Sequence, residues 1–94
     1  MVELLREDPD FASVYLAAAL EESALPGGQQ ALLSALRHVV ESKGMAAVAQ
    51  RAGIPRESLY RALSANANPT IKTLLAVLGA AGLQLAVTRP HQHA

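Results

Sequence analysis

The sequence predicts an all-α domain of five helices on one core, followed by a single short strand. Three observations carry this. Hydrophobic residues make up 51% of the 94, enough for one modest core. Phe11, Tyr15 and Tyr60 are the only aromatics, so the core is built from Leu, Val and Ala, which suit closely packed helices. Apolar residues recur at helical spacing through most of the chain, and only the stretch 83–88 alternates instead. The whole chain, 1–94, reads as one domain.

Asp8-Pro9-Asp10 opens the first helix, with an acid as cap or first-turn residue and Pro where its missing N–H costs little. Phe11, Tyr15, Leu16, Ala19 and Leu20 follow at helical spacing to about Ser23, within an N-terminal segment spanning 8–25. Pro26-Gly27-Gly28 breaks it. The core segment, 29–81, begins with a helix bearing Leu32, Leu33, Leu36, Val39 and Val40, closed by Gly44 as a left-handed cap. A shorter helix over 45–52 turns Val48, Ala49 and Ala52 inward. After Gly53-Ile54-Pro55 another covers about 56–64. Asn66 to Pro69 form a loop. Thr70 caps the last helix, whose stripe is Ile71, Leu74, Leu75 and Leu78; Gly79 weakens it and Gly82 closes it. The strand, 83–88, presents Leu83, Leu85 and Val87 on one face. A lone strand leaves its backbone groups unsatisfied, so it pairs with its own copy in a dimer or with a partner protein; the rival is an extended tail lying on the core. Residues 89–94 form a tail.

With no cysteine, disulfide and thiolate chemistry are excluded. The acidic start is unlike a secretory signal, and no apolar run approaches the roughly 20 residues that span a bilayer, so a soluble cytoplasmic protein without membrane contact is expected. The zero net charge is a cancellation. Residues 1–22 hold six acids against Arg6, a net of −5, while residues 37–72 hold six bases against Glu41 and Glu57, a net of +4. A basic middle permits a local phosphate-binding surface, although solvated helix faces produce the same pattern.

The stretch "AQRAGIPRESLYRAL" (residues 49–63) has the form of a helix-turn-helix. That motif needs a small residue where the second helix crosses the first, and a glycine suits its turn. Ala49 and Gly53 stand at these places, and Val48, Ala52, Ile54, Leu59 and Ala62 fill the apolar positions. A buried helical corner can mimic the pattern. On the second helix Leu59, Ala62 and Leu63 point inward, leaving Arg56, Glu57, Tyr60, Arg61 and Ser64 as candidate base contacts, since recognition helices meet base edges from such positions. Arg can donate two bonds to guanine. Tyr60 suits a phosphate or a thymine methyl, or is simply an amphipathic surface residue. Glu57 could accept from cytosine, but pairing with Arg61 at i+4 is preferred, because a carboxylate near phosphates is costly unless engaged. Candidate phosphate contacts are Lys43, Arg51, Asn68, Thr70 and Lys72, with the first amides of the last helix.

Over about 8–88 the chain resembles the small antitoxins described as probable addiction-module antidote proteins, which carry a Cro/repressor-type helix-turn-helix in a lambda-repressor-like domain. The resemblance lies in "DPDFASVYLAAALEES", "LLSALRHVVESKGMAAVAQRAGIPRESLYRALS", the Asn68-Pro69 pair and "LLAVLGAAGLQLAV". It implies a homodimer that neutralises a RelE/ParE-like toxin encoded beside it and represses its own operon by binding double-stranded operator DNA. It also places Arg56, Tyr60 and Arg61 at recognition positions. Two departures stand out. Pro55 replaces the usual Ser or Thr cap, a loss of about 1 kcal/mol. Ala67 replaces a glycine before Asn-Pro, so any need for positive φ would strain Ala67 or pass to Asn66.

No enzyme, cofactor or metal centre is expected. His91 and His93 have no third ligand nearby, no Ser/His/acid spacing is distinctive, and His38 reads as a boundary residue. The alternatives to an antitoxin are a phage-repressor-like DNA-binding regulator without a toxin, and a protein-interaction module using the motif as scaffold. The acids of residues 1–22 could face a basic toxin, or simply lie in water over the core.

Overall fold

Six helices form among the residues described by the computed structural model, 1–87 and 89: α1 (Val2–Glu7), α2 (Phe11–Glu21), α3 (Gly28–Lys43), α4 (Met45–Ala52), α5 (Arg56–Ala62) and α6 (Ile71–Ala80). The all-α expectation therefore holds, with one helix more than the five anticipated. The addition is α1. Its single buried residue, Leu5, is 2% exposed and belongs to the core, and the helix packs on α3. A six-residue helix has no stability of its own, so docking sustains it, and one inward leucine gives no readable period.

The 16-residue α3 is the central element. It buries Leu33, Ala35, Leu36, Val39 and Val40, and packs against α1, α2 and α4. Helix α2 lies on it through Ala12 and Leu16. The Tyr15 hydroxyl meets His38 Nδ1 at 2.7 Å, joining α2 to α3, with the ring centroids 6.2 Å apart and the planes inclined by 24°. Between these helices Gly28 is buried so close to the backbone of Glu22 and Ser23 that a Cβ there would collide with it. Helix α4 then contacts α3, α5 and α6, which ties both halves into one apolar cluster from Leu5 to Ala81.

Two further expectations need correction. Helix α6 buries Val77, Leu78 and Ala80, while Ile71 is 74% exposed and Leu75 48% exposed. It is apolar nearly all round, so two stripes fit its periodicity and packing on α4 selects the one through Leu74, Val77, Leu78 and Ala81. Gly44 has positive φ, but its φ of 100° and ψ of 117° lie outside the left-handed helical basin. Among the described residues no non-glycine has positive φ, so the loop makes no such demand on Ala67 or Asn66.

Among the described residues the expected strand forms no ladder. Leu83 closes α6, its N–H donating to the Leu78 carbonyl at 2.9 Å, and packs on the core; Leu85 is 44% exposed and Val87 fully so. Thr88 and residues 90–94, with His91 and His93, lie outside the described residues. No helix among the described residues is long and apolar enough to cross a membrane.

Candidate functional site

The α4–α5 corner is built by its own hydrogen bonds. Gly53, at φ 72° and ψ 29°, donates to the Gln50 carbonyl, and Ile54 donates to the Ala49 carbonyl at 3.1 Å. These are the two bonds of a Schellman motif, which satisfies the last carbonyls of α4 and reverses the chain. Its usual apolar contact has its counterpart in Ile54, which packs against the core. Pro55, at φ −61° and ψ 146°, then takes the N-cap position of α5 without a side-chain cap bond. Its carbonyl accepts from Leu59 N at 3.1 Å, so the helix starts cleanly without a hydroxyl.

Burial fixes which face of α5 is turned out. Leu59 is fully buried and Leu63 nearly so, packed in the same cluster as Val48 and Ala49 of α4. Arg56, Glu57, Tyr60 and Arg61 are all exposed; Ser64, half-buried, donates its hydroxyl to the Arg61 carbonyl at 2.9 Å. The expected pairing of Glu57 with Arg61 does not form: the two ion pairs among the described residues are Arg6–Glu3 and Arg37–Glu41. Arg56 stacks instead on the Tyr60 ring, its guanidinium carbon 5.7 Å from the centroid. That contact holds two candidate side chains together on the outer face, worth about 0.5–1 kcal/mol at an exposed site.

Beside α5 an open groove of about 480 Å³ runs between Ile54, Ser58, Arg61 and Ala62 on one side and Ala67, Asn68, Pro69, Thr70 and Thr73 on the other. It brings Arg61, Asn68 and Thr70 together. Ser58 and Thr73 escaped the sequence reading, having neither charge nor a place in the apolar pattern. The Thr70 hydroxyl is already engaged, accepting from Thr73 N at 3.1 Å as the N-cap of α6 and donating to the Thr73 hydroxyl. The groove can therefore offer an anion Arg61, Asn68 and the first-turn amides of α6 more readily than Thr70's side chain; Lys72 is exposed in that first turn but does not line the groove. Arg51 is exposed in the last turn of α4, and Lys43 is half-buried at the end of α3; neither lines the groove. Among the described residues no three His, Asp or Glu side chains converge as a metal site.

Two comparisons place this chain among known proteins. The family described as "Probable addiction module antidote protein" matches residues 1–89. An uncharacterized protein of Haemophilus influenzae is 39% identical over 74 residues, covering 79% of this chain and 72% of that protein. No solved structure matches. The match therefore takes in every helix, including the α4–α5 corner and its exposed arginines. This chain belongs to the family of probable addiction module antidote proteins.

Proposed function

We propose that this chain is the antitoxin of a type II toxin–antitoxin module, which binds a RelE/ParE-like toxin and represses its own operon as a homodimer through α4 and α5. The observation that carries the DNA-binding part is the α5 surface. Two buried leucines lock the helix onto the core, and Arg56, Tyr60 and Arg61 face solvent beyond a tight Schellman turn. With α4 crossing behind it, α5 is the recognition helix of a lambda-repressor-like helix-turn-helix.

Arg56 and Arg61 each have the geometry to donate to guanine O6 and N7. Glu57 is left to accept from cytosine N4, since Arg61 does not engage it. Ser64, its hydroxyl held by the Arg61 carbonyl, sits at the margin of the read surface. Lys72, Asn68, Arg51, Lys43 and the α6 amides contact phosphates on either side. The segment with Leu83, Leu85 and Val87, which has no strand partner among the described residues, forms the strand ladder between two copies. The two-fold dimer reads half-sites about one helical turn apart.

The test is binding to the DNA upstream of the chain's own reading frame, compared with unrelated DNA and with the Arg56→Ala, Arg61→Ala double variant. Equal affinity of the folded double variant would remove α5 from the reading surface.

A further inference from the structure

We propose that Tyr60 is a positioning residue: its ring holds the Arg56 guanidinium ready for a guanine, and Tyr60 acts on DNA through Arg56. This rests on the DNA-binding reading of α5 and names what sets its base preference. The chain has three aromatic residues. Two of them, Phe11 and Tyr15 of α2, lie with ring centroids 5.9 Å apart, and Tyr15 reaches α3 through His38. Tyr60 stands apart on the outer face of α5, 40% exposed. It belongs neither to the buried cluster nor to the side chains packed against it, and Leu59 and Leu63 already anchor the helix. The ring is therefore not there to hold α5 in place.

What the ring carries is Arg56, whose guanidinium carbon lies 5.7 Å from the Tyr60 centroid. Residues four apart share a face of a helix, so α5 itself brings the two together. Among the described residues Arg56 makes no ion pair, and those of the other arginines are Arg6–Glu3 and Arg37–Glu41. A cation–π contact ties up no N–H group, so all five guanidinium donors stay available to guanine O6 and N7. Pairing with a carboxylate such as that of Glu57 would also restrain the arginine, but by occupying those same donors.

Arg61 provides the contrast. It lines the groove beside α6, and among the described residues the cation–π contact is that of Arg56 with Tyr60. A long arginine loses rotamer freedom when it binds, and one already held by a neighbour loses less. Arg56 therefore meets DNA partly ordered and Arg61 does not. The base preference of α5 leans on Arg56, and through it on Tyr60, a residue that need not touch the DNA at all.

The probes are the DNA upstream of the chain's own reading frame and an unrelated duplex of equal length. Binding is followed by fluorescence anisotropy, at a salt concentration where Arg56→Ala still binds. The variants are Tyr60→Leu, Tyr60→Phe, Arg56→Ala and the Arg56→Ala, Tyr60→Leu double variant, each checked for folding by its thermal melt. Both positions are exposed, so the variants should fold. Loss of the ring contact corresponds to about a two- to fivefold weakening per helix, or about four- to twenty-five-fold for a dimer carrying two. Tyr60→Leu should weaken upstream binding by that factor and binding to the unrelated duplex much less. Tyr60→Phe, which keeps the ring, should restore most of the affinity. In the Arg56→Ala background Tyr60→Leu should cost nothing further. If Tyr60→Leu binds the upstream DNA as tightly as wild type, Tyr60 does not position Arg56, and the DNA-binding reading stands. A cost that persists in the Arg56→Ala background, or a Tyr60→Phe as weak as Tyr60→Leu, means that Tyr60 touches DNA itself and overturns the proposal. If wild type shows no preference for the upstream DNA, the DNA-binding reading falls and takes this inference with it.

Discussion

Replacing Gly53 and Gly79 by alanine, one at a time, should move stability in opposite directions, although the chemical change is the same. At neither position would an added Cβ meet any atom within 4 Å, so sterics with the surroundings drop out and backbone conformation decides. Gly53 sits at φ 72° in the Schellman turn, where a side chain costs about 1–2 kcal/mol. The stiffer unfolded chain offsets about 0.4–1 kcal/mol of this, leaving a net loss of about 1 kcal/mol. Gly79 lies inside α6 without positive φ, where alanine gains about 0.5–1 kcal/mol. At about 2.1 cal/mol/K per residue, the unfolding entropy of 94 residues is about 0.2 kcal/mol/K. The melting temperature, followed by circular dichroism, should fall by about 5 °C for Gly53→Ala and rise by about 2–5 °C for Gly79→Ala. Shifts of the same sign would refute the assignment of the turn.

Three other changes test the parts that position α5. Leu59→Ala, at a side chain with no exposed surface, should cost about 2–5 kcal/mol, read as a lower urea midpoint at unchanged slope; a loss below about 1 kcal/mol would mean α5 is not anchored there. Thr70→Ala removes the bond to Thr73 N and should cost about 1 kcal/mol by the same assay, while Thr70→Ser should recover most of it. Tyr15→Phe deletes the hydroxyl bonded to His38 and should cost about 0.5–1.5 kcal/mol near neutral pH. Burial also raises the Tyr15 phenol above its ordinary value near 10. The folded state then keeps a proton that the unfolded state releases, so the phenol's contribution is whole below pH 10 and is lost as pH rises above it. Wild type should lose stability more steeply than Tyr15→Phe on that limb, and parallel pH curves would contradict this.

What the sequence revealed and what it hid divide along physical lines. The α4–α5 corner was legible because Gly53, Pro55 and the apolar positions around them act locally: each residue does its work within four neighbours. The same holds for Thr70, whose capping bond is local. The first helix was not legible, since Leu5 owes its helix to a contact with α3 far along the chain. The exposed side of α6 is not legible, because a helix with apolar residues on every side does not say which side meets α4. At the candidate site, the exposed arginines followed from the position of Leu59. The exchange of an expected Glu57–Arg61 pair for Arg56 on Tyr60 is a choice between rotamers that spacing alone does not make. The groove through Ser58 and Thr73 depends on how the 66–70 loop lies against α5, which only the assembled chain defines.

The most direct measurement is the salt dependence of binding to the chain's own upstream DNA, followed by fluorescence anisotropy for wild type and the Arg56→Ala, Arg61→Ala variant. With about three phosphates neutralised per protomer, the slope of log K against log salt for a dimer should be about −5. Removal of both arginines should weaken binding at least about thirtyfold and reduce the preference for the upstream sequence. A slope near zero, or a folded double variant that binds as tightly and selectively as wild type, would contradict the proposal that α5 reads DNA.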